Sequence, residues 1–334
     1  MSRADAGPAA GTAGKIEFRI LQEAAEWFAV LSSQEAGDDA LGRWRSWLAA
    51  DAGHREAWAQ VEAISGKFER LPAGDKPAAH RVLDAASGRQ AARRRAFGML
   101  ALLCGAGIGA GALTRATPWR AWMSAYRTGT GQSREIHLAD ETRIWLNTAS
   151  AIDVDYDATL RQVILRAGEI LVQTAPDTAA PPRPFVVDTL QGRLRALGTR
   201  FSVRQLDDAG IVAVFEGAVE ILPRESNGPD RIVRAGEQAR FTADRSRPAV
   251  PAEARRQSWM QGLLVTEDMR LEDFLSDLSR YRHGYLGCDP RVADVRIVGA
   301  YALADTDRVL SALEATLPVR VRSPLPWWTV VEPR

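Results

Sequence analysis

The sequence predicts a multidomain chain: a small all-α domain, one transmembrane helix, an all-β domain of sandwich or roll type, and a small α+β domain at the end. Three observations predict it. Before residue 71 apolar residues recur at a period near 3.6, residues 96–114 carry no charge, and beyond them the apolar period falls to 2. The length, 334 residues, fits two or three domains rather than one.

The first element is a tail, residues 1–15, rich in Ala, Gly and Pro and expected to be disordered. The helical domain occupies residues 16–71. Leu21, Ala25, Phe28 and Leu31 mark one helix, Leu41, Trp44, Trp47 and Leu48 a second, and Trp58, Val61, Ile64 and Phe68 a third. Ser32-Ser33 and Asp51-Ala52-Gly53 supply the breaks. Four tryptophans, Trp27, Trp44, Trp47 and Trp58, exceed what three short helices easily enclose. At least two belong to the core; all four are candidates for a partner-binding surface, because aromatics are enriched at interface hot spots.

Residues 72–95 form a polar linker ending in Arg89, Arg93, Arg94 and Arg95. As a helix, residues 96–114 would reach roughly 28 Å, enough to cross a hydrocarbon core. Their five glycines would weaken a soluble helix, whereas Gly105/Gly109 and Gly107/Gly111 have the spacing that lets helices meet closely in lipid. More arginines precede the segment than follow it, so the amino end is expected in the cytoplasm and the carboxyl end in the periplasm. Trp119 and Trp122 fall at the outer interface. Arg94-Arg95 ahead of a weakly apolar stretch also admits twin-arginine export as a second reading.

Residues 115–245 alternate. Segments such as Arg143–Asn147, Ile152–Tyr156, Gln162–Leu165, Arg193–Leu197, Phe201–Val203, Ile211–Phe215 and Gln238–Phe241 read as short strands of an antiparallel domain. The string Arg-Ala-Gly-Glu occurs at Arg166 and at Arg234, with Glu216-Gly217 between, and each is read as turn chemistry. Residues 246–258 are a linker. Residues 259–334 alternate strands with helices at Leu271–Arg282 and Thr306–Leu317, an α+β domain.

Composition narrows the function classes. With 46% hydrophobic and 25% charged residues the chain is of ordinary globular type, and a net charge of +1 makes direct nucleic-acid binding a poor expectation. Lysine occurs only at positions 15, 67 and 76, and neither Gly14-Lys15 nor Gly66-Lys67 continues into a phosphate-binding loop. Two cysteines and four scattered histidines offer no ligand spacing, so neither metal nor cofactor is expected.

Several strings resemble the FecR family of transmembrane anti-sigma factors of iron-siderophore cell-surface signalling. They are EAAEWFAVLSS and LGRWRSWLAADAGHREAWAQVEAI between Glu23 and Ile64, then LADETRIWLN, RQVILRAGEILVQT, PFVVDTLQGRLRALGTRFSVR, VFEGAVEI and RAGEQARFT in family order. One departure is Glu141, where the family usually has a turn glycine. The resemblance implies an inner-membrane regulator whose helical domain holds an extracytoplasmic-function sigma factor. Its C-terminal domain, similar to the N-terminal signalling domain of TonB-dependent receptors and secretins, would meet the signalling domain of such a receptor. Regulated proteases are further implied partners. It also implies self-cleavage at Gly198-Thr199, the Thr hydroxyl attacking the preceding carbonyl; a plain strand corner is the alternative. Two other classes stay open. A membrane-anchored periplasmic enzyme would use Asp153, Asp155 and Asp157, although alternating Asp is the usual mark of a solvated strand face. A structural or adhesion module would leave the tryptophans unexplained.

Overall fold

The computed structural model describes residues 16–32, 38–70, 124–226, 231–253 and 255–334. The tail, the linker, the span at 96–114, the twin arginines, Trp119 and Trp122 lie outside the described residues. Among the described residues no helix is long and apolar enough to cross a membrane. The chain divides into two compact units, residues 1–85, 284–294 and 318–334 in one, and residues 86–283 and 295–317 in the other.

In the first unit α1 is Phe18–Ser32, α2 Asp38–Ala50 and α3 Ala52–Glu69. Helix α1 buries Leu21, Ala24, Ala25 and Phe28, the i, i+3, i+4, i+7 stripe of an amphipathic helix. Asp51 caps α3 by accepting the Gly53 amide at 2.6 Å, which ends α2 and starts α3 with one residue between them. The same unit holds a three-stranded sheet made later in the chain. Its strands, in sheet order, are Tyr285–Cys288, Trp328–Pro333 and Val319–Leu325, the first pair parallel and the second antiparallel. Phe28 meets Trp327, in the turn beside that sheet, edge-on at 5.4 Å.

The second unit is a two-sheet sandwich. Strands β1 (Tyr126–Arg127), β4 (Ala151–Tyr156), β5 (Arg161–Ala167), β7 (Phe185–Asp188), β8 (Gly192–Ala196), β11 (Ala218–Pro223) and β12 (Arg231–Arg234) form one sheet in that order. The other runs β14 (Val250–Pro251), β13 (Glu237–Phe241), β10 (Gly210–Glu216), β9 (Arg200–Gln205), β6 (Glu169–Gln173), β3 (Arg143–Leu146) and β2 (Arg134–His137). Inward residues of both sheets, among them Ile144, Leu165, Ile170, Leu194, Phe201 and Phe241, close one apolar core. Each such side chain contributes about 1.5–3 kcal/mol by leaving water.

The domain is antiparallel with one correction. β7 lies parallel to β5, from Arg161↔Phe185 to Ile164↔Asp188. Parallel neighbours need a crossover rather than a hairpin. The chain supplies it by passing through β6 in the opposite sheet and returning along the proline-rich loop. The chain changes sheet at Gly168, Gly198, Gly217 and Gly236, all at positive φ, so both Arg-Ala-Gly-Glu strings and Glu216-Gly217 are corners.

The segment read as a linker carries β14 and a short helix, α4 (Arg255–Ser258). β15 (Leu263–Arg270) and a strand at Arg296–Ala302 form a two-stranded antiparallel sheet beside α5 (Leu271–Ser279). A further helix, α6 (Thr306–Thr316), is capped by Asp305, whose carboxylate accepts the Arg308 amide at 2.9 Å. Residues 259–334 thus contribute β15, α5, the Arg296–Ala302 strand and α6 to one unit, and the three-stranded sheet to the other.

Candidate functional site

The four tryptophans fall into two pairs. Trp44 and Trp58 are 4% and 3% exposed and pack ring on ring at 5.0 Å, with Phe28 5.8 Å from Trp58. They are the hydrophobic centre of the three helices, and a partner could reach them only by unfolding it. Trp27 and Trp47 are half-buried. Trp47 is held from three sides: its indole N–H donates to Glu23 at 3.0 Å, its ring stacks on His54 at 4.4 Å, and its carbonyl lies 2.6 Å from His54 Nδ1. A half-exposed aromatic so fixed presents apolar area at little further entropic cost, the quality of an interface anchor.

The Gly198-Thr199 corner joins β8 to β9 and so carries the chain between sheets. Gly198 has φ 74°, a left-handed backbone that glycine adopts without steric cost. A side chain at Gly217, the neighbouring corner, would collide with the Gly198 carbonyl oxygen, so that carbonyl is accommodated because residue 217 has no Cβ. Thr199 is 5% exposed, and its Oγ1 is buried without a hydrogen-bond partner. Buried hydroxyls normally find one, and leaving one unpaired costs about 1–3 kcal/mol. Its backbone, by contrast, is held at both ends. The Thr199 amide donates to Thr174 Oγ1 at 2.9 Å, and the Thr199 carbonyl accepts the Thr174 amide at 3.0 Å and the Thr174 hydroxyl at 3.2 Å.

Two polar clusters escaped sequence reading. Asp140 accepts from Arg161 at 2.8 Å, from the Thr142 hydroxyl at 2.9 Å and from Tyr156 at 3.2 Å, while Arg161 donates to the Ala175 carbonyl and Thr142 receives the Ala175 amide. Burial would raise the Asp140 carboxyl, but the hydrogen bonds from Arg161 and Thr142 hold it below the usual carboxylate range. The second cluster ties α5 to the sandwich. Glu169 on β6 pairs with Arg280, Asn147 donates to Glu169 at 3.0 Å and accepts from Tyr281 at 3.0 Å, and Asp277 lies between Arg204 at 2.9 Å and Arg255 at 3.1 Å. Burial pushes the Tyr281 hydroxyl up to about 12. No local signal in the sequence marks these partners, which are far apart along the chain.

Two of the three carboxylates considered for an enzyme, Asp153 and Asp157, have structural partners. Asp153 accepts from Arg166 at 2.7 Å, Asp157 caps the turn at Thr159 and Leu160, and Asp155 is exposed. Among the described residues no group of three or more His, Cys, Asp or Glu is placed to hold a metal ion.

Residues 124–220 match the FecR protein family, and residues 22–64 match a domain of unknown function, DUF4880. Two crystal structures, at 2.50 and 1.65 Å resolution, of a candidate anti-sigma factor from Parabacteroides distasonis ATCC 8503 share the fold. Each is 22% identical, covers 63% of this chain and 98% of its own, and superposes with a TM-score of 0.51 or 0.52. No curated protein matches the sequence.

Proposed function

We propose, because residues 124–220 match the FecR protein family and residues 22–64 ahead of them match DUF4880, that the chain is an anti-sigma factor whose helical domain binds a sigma factor. The observation that carries this reading is the presence in one chain of both matched segments, one of them a compact helical module with two half-exposed tryptophans. The finer reading places the chain in the inner membrane, helices in the cytoplasm and β domain in the periplasm. There it would relay a signal from the signalling domain of a TonB-dependent siderophore receptor to an extracytoplasmic-function sigma factor, with regulated proteases as further partners. The arginine-flanked uncharged segment at 96–114 supports that topology.

Co-expression of the full chain with the sigma factor encoded beside it tests the first part: the two should co-purify, and a sigma factor recovered only in the unbound fraction ends the reading. The topology and the Phe28–Trp327 contact exclude each other within one chain, since a single span puts these rings on opposite sides. A reporter at the carboxyl end that is active only in the periplasm supports the span. A cross-link formed in intact cells by the double variant Phe28→Cys with Trp327→Cys supports the contact instead.

A second reading has its own observation, the unpartnered Thr199 hydroxyl beside Gly198. The hydroxyl attacks the Gly198 carbonyl, the peptide bond becomes an ester, and water opens it to a Gly198 carboxylate and a new Thr199 amino terminus. Intact-mass analysis of wild type beside Thr199→Ala decides: a wild-type chain that stays whole removes this reading and leaves the anti-sigma reading standing.

A further inference from the structure

β6 pairs antiparallel with β9 up to Gln173↔Arg200, and one residue further the pairing changes. A regular ladder would send the Thr174 amide to the Thr199 carbonyl and the Thr199 amide back to the Thr174 carbonyl. The first bond is present at 3.0 Å. In the second, the Thr174 side chain takes the place of the main chain, its Oγ1 receiving the Thr199 amide at 2.9 Å. That amide nitrogen is the atom that must leave the Gly198 carbonyl if the bond between the two residues is to break.

We propose that Thr174 is the residue that positions the Gly198-Thr199 peptide for cleavage, an inference that rests on the self-cleavage reading. Three features single it out. Its hydroxyl touches the departing nitrogen and, through the Thr199 carbonyl at 3.2 Å, holds the same residue at its other end as well. It is itself anchored, because the next residue, Ala175, is tied by its amide to Thr142 Oγ1 at 3.1 Å and by its carbonyl to Arg161 at 3.0 Å, and both of these bind buried Asp140. And while it holds the Thr199 backbone in place, the Thr199 hydroxyl itself is buried with no hydrogen-bond partner, free to attack.

The balance of the step is closed. The Thr199 Oγ–Gly198 carbon bond forms, the Gly198 carbon–Thr199 nitrogen bond breaks, and the proton of the attacking hydroxyl ends on that nitrogen. The resulting amine stays within hydrogen-bonding reach of Thr174 Oγ1. Water then hydrolyses the ester and restores the Thr199 hydroxyl. No oxidant, metal or cofactor enters.

The test uses the full chain made in a cell-free system, sampled over time by mass spectrometry, with hydroxylamine added to half of each sample to trap the ester. Thr174→Val keeps the shape and deletes the hydroxyl, and Thr174→Ser keeps the hydroxyl. Cleavage in Thr174→Val should be about tenfold slower, the rate equivalent of one lost hydrogen bond, while Thr174→Ser keeps the wild-type rate. Both variants should melt cooperatively, and any loss of fold in Thr174→Val is checked with Thr174→Ala. Wild-type speed in Thr174→Val, or equal slowing in Thr174→Ser, overturns the role of Thr174 while cleavage itself stands. A wild-type chain that yields neither fragments nor hydroxamate removes the cleavage reading and this inference with it.

Discussion

The carboxylate of Glu169 on β6 meets the guanidinium of Arg280, the residue that ends α5, at 2.7 Å. Glu169 is 2% exposed, and Asn147 and Tyr281 complete its surroundings. A buried charge is tolerable only with such partners, so truncating one should cost much more than deleting both. Arg280→Ala is expected to lower stability in urea by about 3–5 kcal/mol, and the double change Glu169→Met with Arg280→Met by much less. Equal losses would show that packing, not charge, holds α5 on the sandwich.

Asp140 and Asp277 contribute to the acid sensitivity of this unit. For both, burial pushes the carboxyl up, and the arginines beside them, Arg161 for Asp140 and Arg204 with Arg255 for Asp277, pull it below the ordinary value. A depressed folded-state pKa contributes stability above the unfolded value of about 3.9, and that stability is lost as pH falls through the folded value. Thermal unfolding between pH 7 and pH 5 should therefore be nearly flat in this respect and fall below about pH 4. Asp277→Asn should flatten the acid branch while lowering stability at pH 7.

At position 141 the chain adopts φ 66° with a glutamate, in the hairpin between β2 and β3. The hairpin closes nonetheless, with Leu138 and Thr142 bonded at 2.9 Å. The left-handed conformation costs a residue with a Cβ about 1–2 kcal/mol. Glu141→Gly should raise the midpoint of unfolding, a gain of about 1 kcal/mol offset in part by the freer unfolded chain. A fall in the midpoint would mean that the glutamate side chain contributes more than its backbone costs.

The tryptophan pairs should separate in experiment. Trp44→Ala or Trp58→Ala removes a buried ring and should cost about 3–5 kcal/mol, abolishing helix signal and sigma binding together. Trp27→Ala or Trp47→Ala should keep the circular dichroism of the helices while sigma binding weakens at least tenfold, about 1.4 kcal/mol. Binding unchanged in both of the latter would move the contact surface elsewhere on the module.

Much of the fold was legible because it is written locally. Apolar alternation located the strands of the sandwich to within a residue or two, since successive side chains of a strand point to opposite faces. The glycines of both Arg-Ala-Gly-Glu strings identified corners, since a chain turning at positive φ favours a residue without Cβ. The two-residue strands β1 and β14 were not legible, because so short a segment carries no period. Of the candidate residues, the sequence pointed to all four tryptophans and to Gly198-Thr199, but it did not distinguish Trp44 from Trp47, since helical spacing assigns a face and not the neighbours that cover it.

By itself the sequence determined the order of helical and β segments, the corners, and the resemblance of its β domain to the FecR family. Only the tertiary structure decided that β7 runs parallel to β5, that Arg280 neutralises Glu169, and that Thr174 grips the amide of Thr199. The physical reason is range. Side-chain alternation and backbone permissiveness act between neighbours along the chain, whereas these pairings are set by how two sheets close on one core, which no single segment encodes.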